Sequence, residues 1–198
     1  MDVPNAIGPS ETEPWVLPSR RKVGLMCLLA TESALFTIFV VAYLFYLGKS
    51  LNGPYPKDIL SIPWLASVAL ISSSVSADLA ERAFRLGNRA RFQAMLAVTI
   101  LLGLGFLAAT ALEWRRLILV EHFTISGNLA GTTFYALVGL HASHVVIGLL
   151  LLTLVLLLSL RGAVASRQHE RIQMLTWYWH FVDAVWIVVF LVVYVFER

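Results

Sequence analysis

Charge is scarce in this chain. Of 198 residues only 15 are Lys or Arg and 12 are Asp or Glu, which is 14% charged, where a soluble domain carries roughly a quarter. Hydrophobic residues make up 59%, and the mean hydropathy is +0.78. A chain this poor in charge cannot solvate the surface of a water-soluble domain of its size. Cysteine is nearly absent too. Cys27 stands alone, which excludes an internal disulfide and leaves no set of thiolates for a structural zinc site. No basic run with interleaved aromatics occurs, so nucleic acid is excluded as a partner. Nor is there a phosphate-binding glycine loop, a nucleophile elbow or a zinc-protease motif. The polar start, with Pro4, Pro9, Pro14 and Pro18, holds no early apolar core. A cleaved secretory signal is therefore not expected.

What is present is length in the apolar runs. Five blocks lie at about Val23–Leu47, Trp64–Ala80, Phe92–Leu112, Leu129–Leu160 and Met174–Phe196. A helix needs about 20 residues to cross ~30 Å of hydrocarbon. Four blocks reach that length. The second is diluted by Ser72, Ser73, Ser74 and Ser76 and crowded by Asp78, Glu81 and Arg82. It still reads as spanning, because Pro63 and Trp64 mark an interfacial start and small residues suit close packing between helices. Barrel strands would alternate polar and apolar residues, and these blocks do not. The predicted fold is all-α, an integral membrane bundle of five transmembrane helices over about 23–47, 64–84, 92–114, 129–160 and 174–196. A polar tail (1–19) precedes a single helical domain (20–198).

Orientation follows from the basic residues. Arg20, Arg21, Lys22, Arg82, Arg85, Arg89, Arg91, Arg161, Arg167 and Arg171 flank one side, and Lys49, Lys57, Arg115, Arg116 and Arg198 the other. The ten-to-five bias puts the N-terminus in the cytoplasm and the C-terminus outside.

Ionisable groups within the blocks are the candidates for chemistry. They are Glu32 in the first, His141 and His144 in the fourth, and His180 and Asp183 in the fifth, with Asp78 near the end of the second. Spacings of three place each pair on one helical face. Glu32 and Asp183 lie about 15 Å in from the cytoplasmic ends at 1.5 Å per residue, so one polar layer linking helices one, four and five is expected. Three roles compete: a haem or metal site on the histidines, a proton path, and hydrogen bonds that fix helix packing. The residues favour the last, because the Glu-x-x-His pairs of a di-iron bundle are absent. With no lysine or arginine between Lys22 and Lys49, Glu32 reads as an unpartnered carboxyl. Trp177, Tyr178 and Trp179 read as an aromatic belt or a lipid-headgroup contact. Arg161, Arg167 and Arg171 are placed to meet lipid phosphates. Gly127 to Gly131 is a small-x-x-x-small pattern, weak by itself.

Three stretches together resemble one family. Trp177-Tyr178-Trp179-His180-Phe181-Val182-Asp183-Ala184-Val185-Trp186 is similar to the last-helix signature of haem–copper oxidase subunit III. Phe123-Thr124-Ile125-Ser126, Gly131-Thr132-Thr133-Phe134 and Gly139-Leu140-His141-Ala142-Ser143-His144-Val145-Val146-Ile147-Gly148 resemble its preceding helix. Thr31-Glu32-Ser33-Ala34-Leu35-Phe36 is similar to the helix that carries its membrane glutamate. The order and spacing agree from Lys22 onward. The resemblance implies a non-catalytic subunit that binds no haem or copper itself. It would pack on the large catalytic subunit I, which holds those cofactors, and beside other subunits, with a small subunit IV as a further partner. Phospholipid binding, support of proton uptake and sustained turnover in a complex that reduces oxygen with electrons from cytochrome c are implied as well, in the inner (plasma) membrane. A quinol oxidase subunit III or a homologue associated with nitric oxide reductase belongs to the same resemblance. The rival from another class is a free-standing haem protein using His141 or His144 with His180. Two departures stand out. The two-helix N-terminal group of the seven-helix form is missing, and Gly127 stands where many members carry an aspartate.

Overall fold

The computed structural model describes residues 19–46, 49, 63–125, 129–164 and 168–196. The polar tail through residue 18, Lys57, Gly127, Arg167 and Arg198 lie outside the described residues. Among the described residues, five α-helices follow one another: α1 (Arg20–Tyr46), α2 (Trp64–Arg85), α3 (Arg89–Leu119), α4 (Leu129–Leu160) and α5 (His169–Phe190). A π-helical turn, Leu191–Val195, extends α5.

Four of these helices are long and apolar enough to cross a membrane: α1, α3, α4, and α5 with its π turn. The second has the length, since 22 residues span about 33 Å, but its serines lower its hydropathy. Ser72 is exposed, but the other described serines of α2 are turned to neighbours. Ser67, Ser73 and Ser76 are buried, and each finds a partner within the bundle.

Helices α3 and α5 begin earlier than the apolar runs, at Arg89 and His169. Polar residues can continue a helix beyond the hydrocarbon, so hydropathy alone places these ends late. Between α2 and α3 the reversal is fixed locally. Gly87 sits at φ 73°, and the amides of Gly87 and Asn88 donate to the carbonyls of Phe84 and Ala83, both at 3.0 Å. That is a Schellman closure, which favours glycine at the left-handed position. Asn88 then caps α3, its Oδ1 accepting from the Arg91 amide at 3.0 Å. Gly162 closes α4 in the same way, at φ 71° with bonds from Gly162 and Ala163 to Ser159 and Leu158.

The closest packing joins α2 to α3, and α3–α4, α4–α5 and α5–α2 contacts complete a four-helix ring. Helix α1 lies outside it, against α4 and α5, with only Phe36 and Tyr43 buried along its length. Trp179 fills the centre of the ring and is fully buried. Two glycines make room for it. A Cβ at Gly148 would stand 2.7 Å from Trp179 Cζ3, and one at Gly103 would stand 3.1 Å from its Cη2.

Candidate functional site

The polar residues inside the bundle form two groups rather than one layer. The first joins α1 to α4 and reaches α5 through Tyr178. His144 Nε2 lies 3.1 Å from Glu32 Oε2, its Nδ1 lies 2.9 Å from the Leu140 carbonyl, and the Tyr178 hydroxyl donates to the His144 carbonyl at 3.2 Å. Glu32 is therefore not the unpartnered carboxyl that the sequence led one to expect. Its partner is an imidazole on another helix, which a search of its own helix for Lys or Arg does not reveal.

The second group joins α5 to α2, not to α1 or α4. Ser74 donates to Asp183 Oδ2 and stands 2.8 Å from His180 Nδ1. His180 Nε2 meets Asp78 Oδ1 at 3.2 Å, and Arg82 pairs with Asp78 at 3.5 Å. The expected single layer across helices one, four and five is thereby corrected: Glu32 and His144 meet with Tyr178 of α5, whereas His180 and Asp183 turn to α2. Depth along each helix can be counted from sequence, but the facing partner depends on rotation and neighbour choice. Ser74 and Asp78 are the residues that sequence reasoning missed as partners. Their i, i+4 spacing mirrors the His180–Asp183 pair and was the available signal.

His141 belongs to neither group. It is fully buried, stacked on Trp186 at 5.0 Å between ring centroids and edged by Phe106 at 5.7 Å and Phe36 at 6.5 Å. Among the described residues neither of its ring nitrogens has a hydrogen-bond partner. His144 and His180 are thus committed to different polar partners on different helices. No three His, Cys, Asp or Glu side chains gather as a metal-ligand set among the described residues.

The aromatic belt divides. Trp177 is exposed and takes the Lys22 ammonium over its ring at 5.6 Å. Tyr178 and Trp179 are buried, and Trp179 Nε1 donates to Ser73 Oγ at 2.9 Å. Trp179 is accordingly an inter-helix anchor and not a headgroup contact.

A groove of about 510 Å³ runs between α1, α4 and α5. Leu28, Ile147, Leu151 and Met174 are among its apolar walls, Arg171 lies towards one end, and Glu32, His144 and Tyr178 lie towards the other. A second groove of about 480 Å³ lies between α1 and α5, lined by residues such as Phe36, Val40, Phe181 and Val188. Both are open and mostly apolar, which suits acyl chains. Arg161, exposed at the end of α4, lines neither groove as described.

A multi-pass helical membrane protein with inter-helix polar pairs and apolar grooves is the class that this architecture defines. Sequence comparison narrows it. The family model described as Cytochrome c oxidase subunit III matches residues 20–198. The cytochrome c oxidase subunit 3 of Alkalihalophilus pseudofirmus is 30% identical over 189 residues, covering 94% of this chain and 92% of that one. Its Synechocystis sp. counterpart is 36% identical over 183 residues, covering 89% and 76%. That of Oryctolagus cuniculus is 37% identical over 143 residues, covering 72% of this chain and 53% of the relative. The match thus spans about half the length of this last relative. The chain belongs to the cytochrome c oxidase subunit III family.

Proposed function

We propose that this chain is the metal-free third subunit of a respiratory haem–copper oxidase, in a complex that takes electrons from cytochrome c and reduces oxygen to water while moving protons. The chain packs against the catalytic subunit I, which carries the haem and copper. A small subunit IV, or extra helices of the large subunit, is a further neighbour. All five helices cross the inner (plasma) membrane, with the N-terminus in the cytoplasm, and residues 20–198 act as one membrane-embedded unit.

The observation that carries this reading is the family match over residues 20–198. The groove between α1, α4 and α5 supports the lipid part. Its apolar walls suit acyl chains, and Arg171 supplies a cation for a headgroup phosphate, with Arg161 and Trp177 on the same side of the membrane. A filled groove would hold α1 against α4 and α5. The chain's own contribution is therefore lipid binding, assembly and sustained turnover, with support of proton uptake by the subunit beside it.

Purification of the complex from native membranes tests this. The chain is expected in equal amount with a larger subunit that holds all the haem and copper, together with retained phospholipid. Recovery of the chain alone and monomeric in mild detergent, or a stoichiometric Soret band on the isolated chain, would overturn it.

A further inference from the structure

The outward faces of the bundle are not alike. Those of α1, α3 and α4 expose apolar side chains such as Ile38, Val41, Leu101, Leu104, Leu150 and Leu154, which lipid tails can cover. Helix α2 exposes Leu65, Val68 and Val75 as well, but not these alone. The seam of α2 with α5 also carries a continuous polar chain, from Asp183 through Ser74, His180 and Asp78 to Arg82. It is partly open. The Asp78 side chain is 46% exposed and that of His180 is 37% exposed. Ser74 lies about 15 Å along α2 from Trp64, so this chain begins at mid-bilayer depth and reaches the polar end of the helix.

Hydrocarbon cannot satisfy such a face, and polar groups within a spanning segment usually face the bundle interior or a partner rather than lipid. The seam also has a direction. Both nitrogens of His180 and the hydroxyl of Ser74 are engaged inside it. The spare capacity at this level is acceptor only, on the Asp78 carboxylate. A second copy of this chain would bring acceptors to acceptors there.

We infer that the α2 face centred on Val75 and Asp78 is the docking surface for a transmembrane helix of the haem- and copper-bearing subunit, one that presents an N–H or O–H donor to Asp78. This rests on the proposed function and names the face by which it is carried out. The grooves beside α1 are left to lipid.

A photoreactive benzophenone side chain placed at Val75, 61% exposed on α2, and separately at Leu104, 48% exposed on α3, tests this in the purified native complex. The haem and copper spectrum is taken before irradiation. Val75 is expected to give an adduct with the metal-bearing subunit, and Leu104 adducts with lipid. Lipid-only or self-adducts at Val75, or transfer of the metal-bearing subunit to Leu104, would overturn the docking face while the intact spectrum leaves the proposed function standing. A preparation without haem and copper would overturn both. As a second readout, D78L is expected to lower the fraction of complex retaining this chain severalfold and D78N to restore most of it. Unchanged retention in D78L would refute the inference.

Discussion

At the scale of single residues, the buried polar atoms are set by what they face. His144 and Glu32 satisfy each other across 3.1 Å. Inter-helix hydrogen bonds in membranes average only ~0.6 kcal/mol by double-mutant cycles. Glu32→Gln is therefore expected to be mild, and Glu32→Leu is expected to cost about 1–3 kcal/mol by leaving the imidazole without its partner. Thermal denaturation of the purified complex measures the difference. The initial oxygen consumption should stay close to that of the parent, because Glu32 is engaged in helix packing through His144, and activity should decay faster over many turnovers. Immediate loss of turnover at normal assembly would assign Glu32 to the reaction itself. Gly148 offers a steric counterpart. Its Cβ position lies 2.7 and 2.8 Å from the Trp179 ring, and overpacking a filled core typically costs about 1–3 kcal/mol. Gly148→Ala should lower the melting temperature, and adding Trp179→Phe should recover part of the loss.

At the scale of elements, α2 is held by its serines. Ser67 accepts from Trp186 Nε1 at 3.1 Å and Ser73 from Trp179 Nε1 at 2.9 Å, while Ser76 and Thr99 tie α2 to α3 at 2.8 Å. Two indole N–H groups on α5 thus meet two hydroxyls on α2, about 9 Å apart along the helix. Ser67→Ala and Ser73→Ala are each expected to lose about 1–3 kcal/mol through the orphaned indole. Their effects should add in the double variant, because the sites are separate. Denaturant titration of the two single variants and the double variant checks this. A strongly non-additive result would mean that α2 shifts as a whole and does not lose the two bonds one by one. The reversal into α3 makes a further demand. Gly87 at φ 73° should tolerate Asn better than Ala, since a Cβ strains this conformation and asparagine accepts it more readily.

At the scale of the whole molecule, the distribution of basic residues predicts the direction of insertion. Ten of the 15 Lys and Arg residues flank the N-terminal side of the bundle. An alkaline phosphatase fused after Arg198 should be active, and a fluorescent protein fused there through the Sec route should stay dark. Adding four Lys residues beside α5's far end, on the side that carries Lys49 and Lys57, should weaken that preference. The ring of α2 to α5, with α1 laid on its outside, also gives an order of loss. Amides of α1 should exchange with deuterium before those of α5 in lipid-stripped complex, since α1 buries few side chains and a lipid-filled groove would lie between it and the ring.

The sequence by itself determined the class of fold, the number of helices and the family. Long apolar runs leave the backbone no way to satisfy its polar groups in lipid except within helices. Trp177 to Trp186 and Gly139 to Gly148 are continuous segments whose identity does not depend on packing. Tertiary structure alone decided the partners. Which helix faces His180 follows from how α5 is rotated about Trp179, and that rotation is set by Gly103 and Gly148 on two other helices. Glu32 reads as alone within its own helix and is paired only because α1 settles on α4. Such pairings join residues 102 to 112 positions apart, and no periodicity within one helix encodes a distance of that kind.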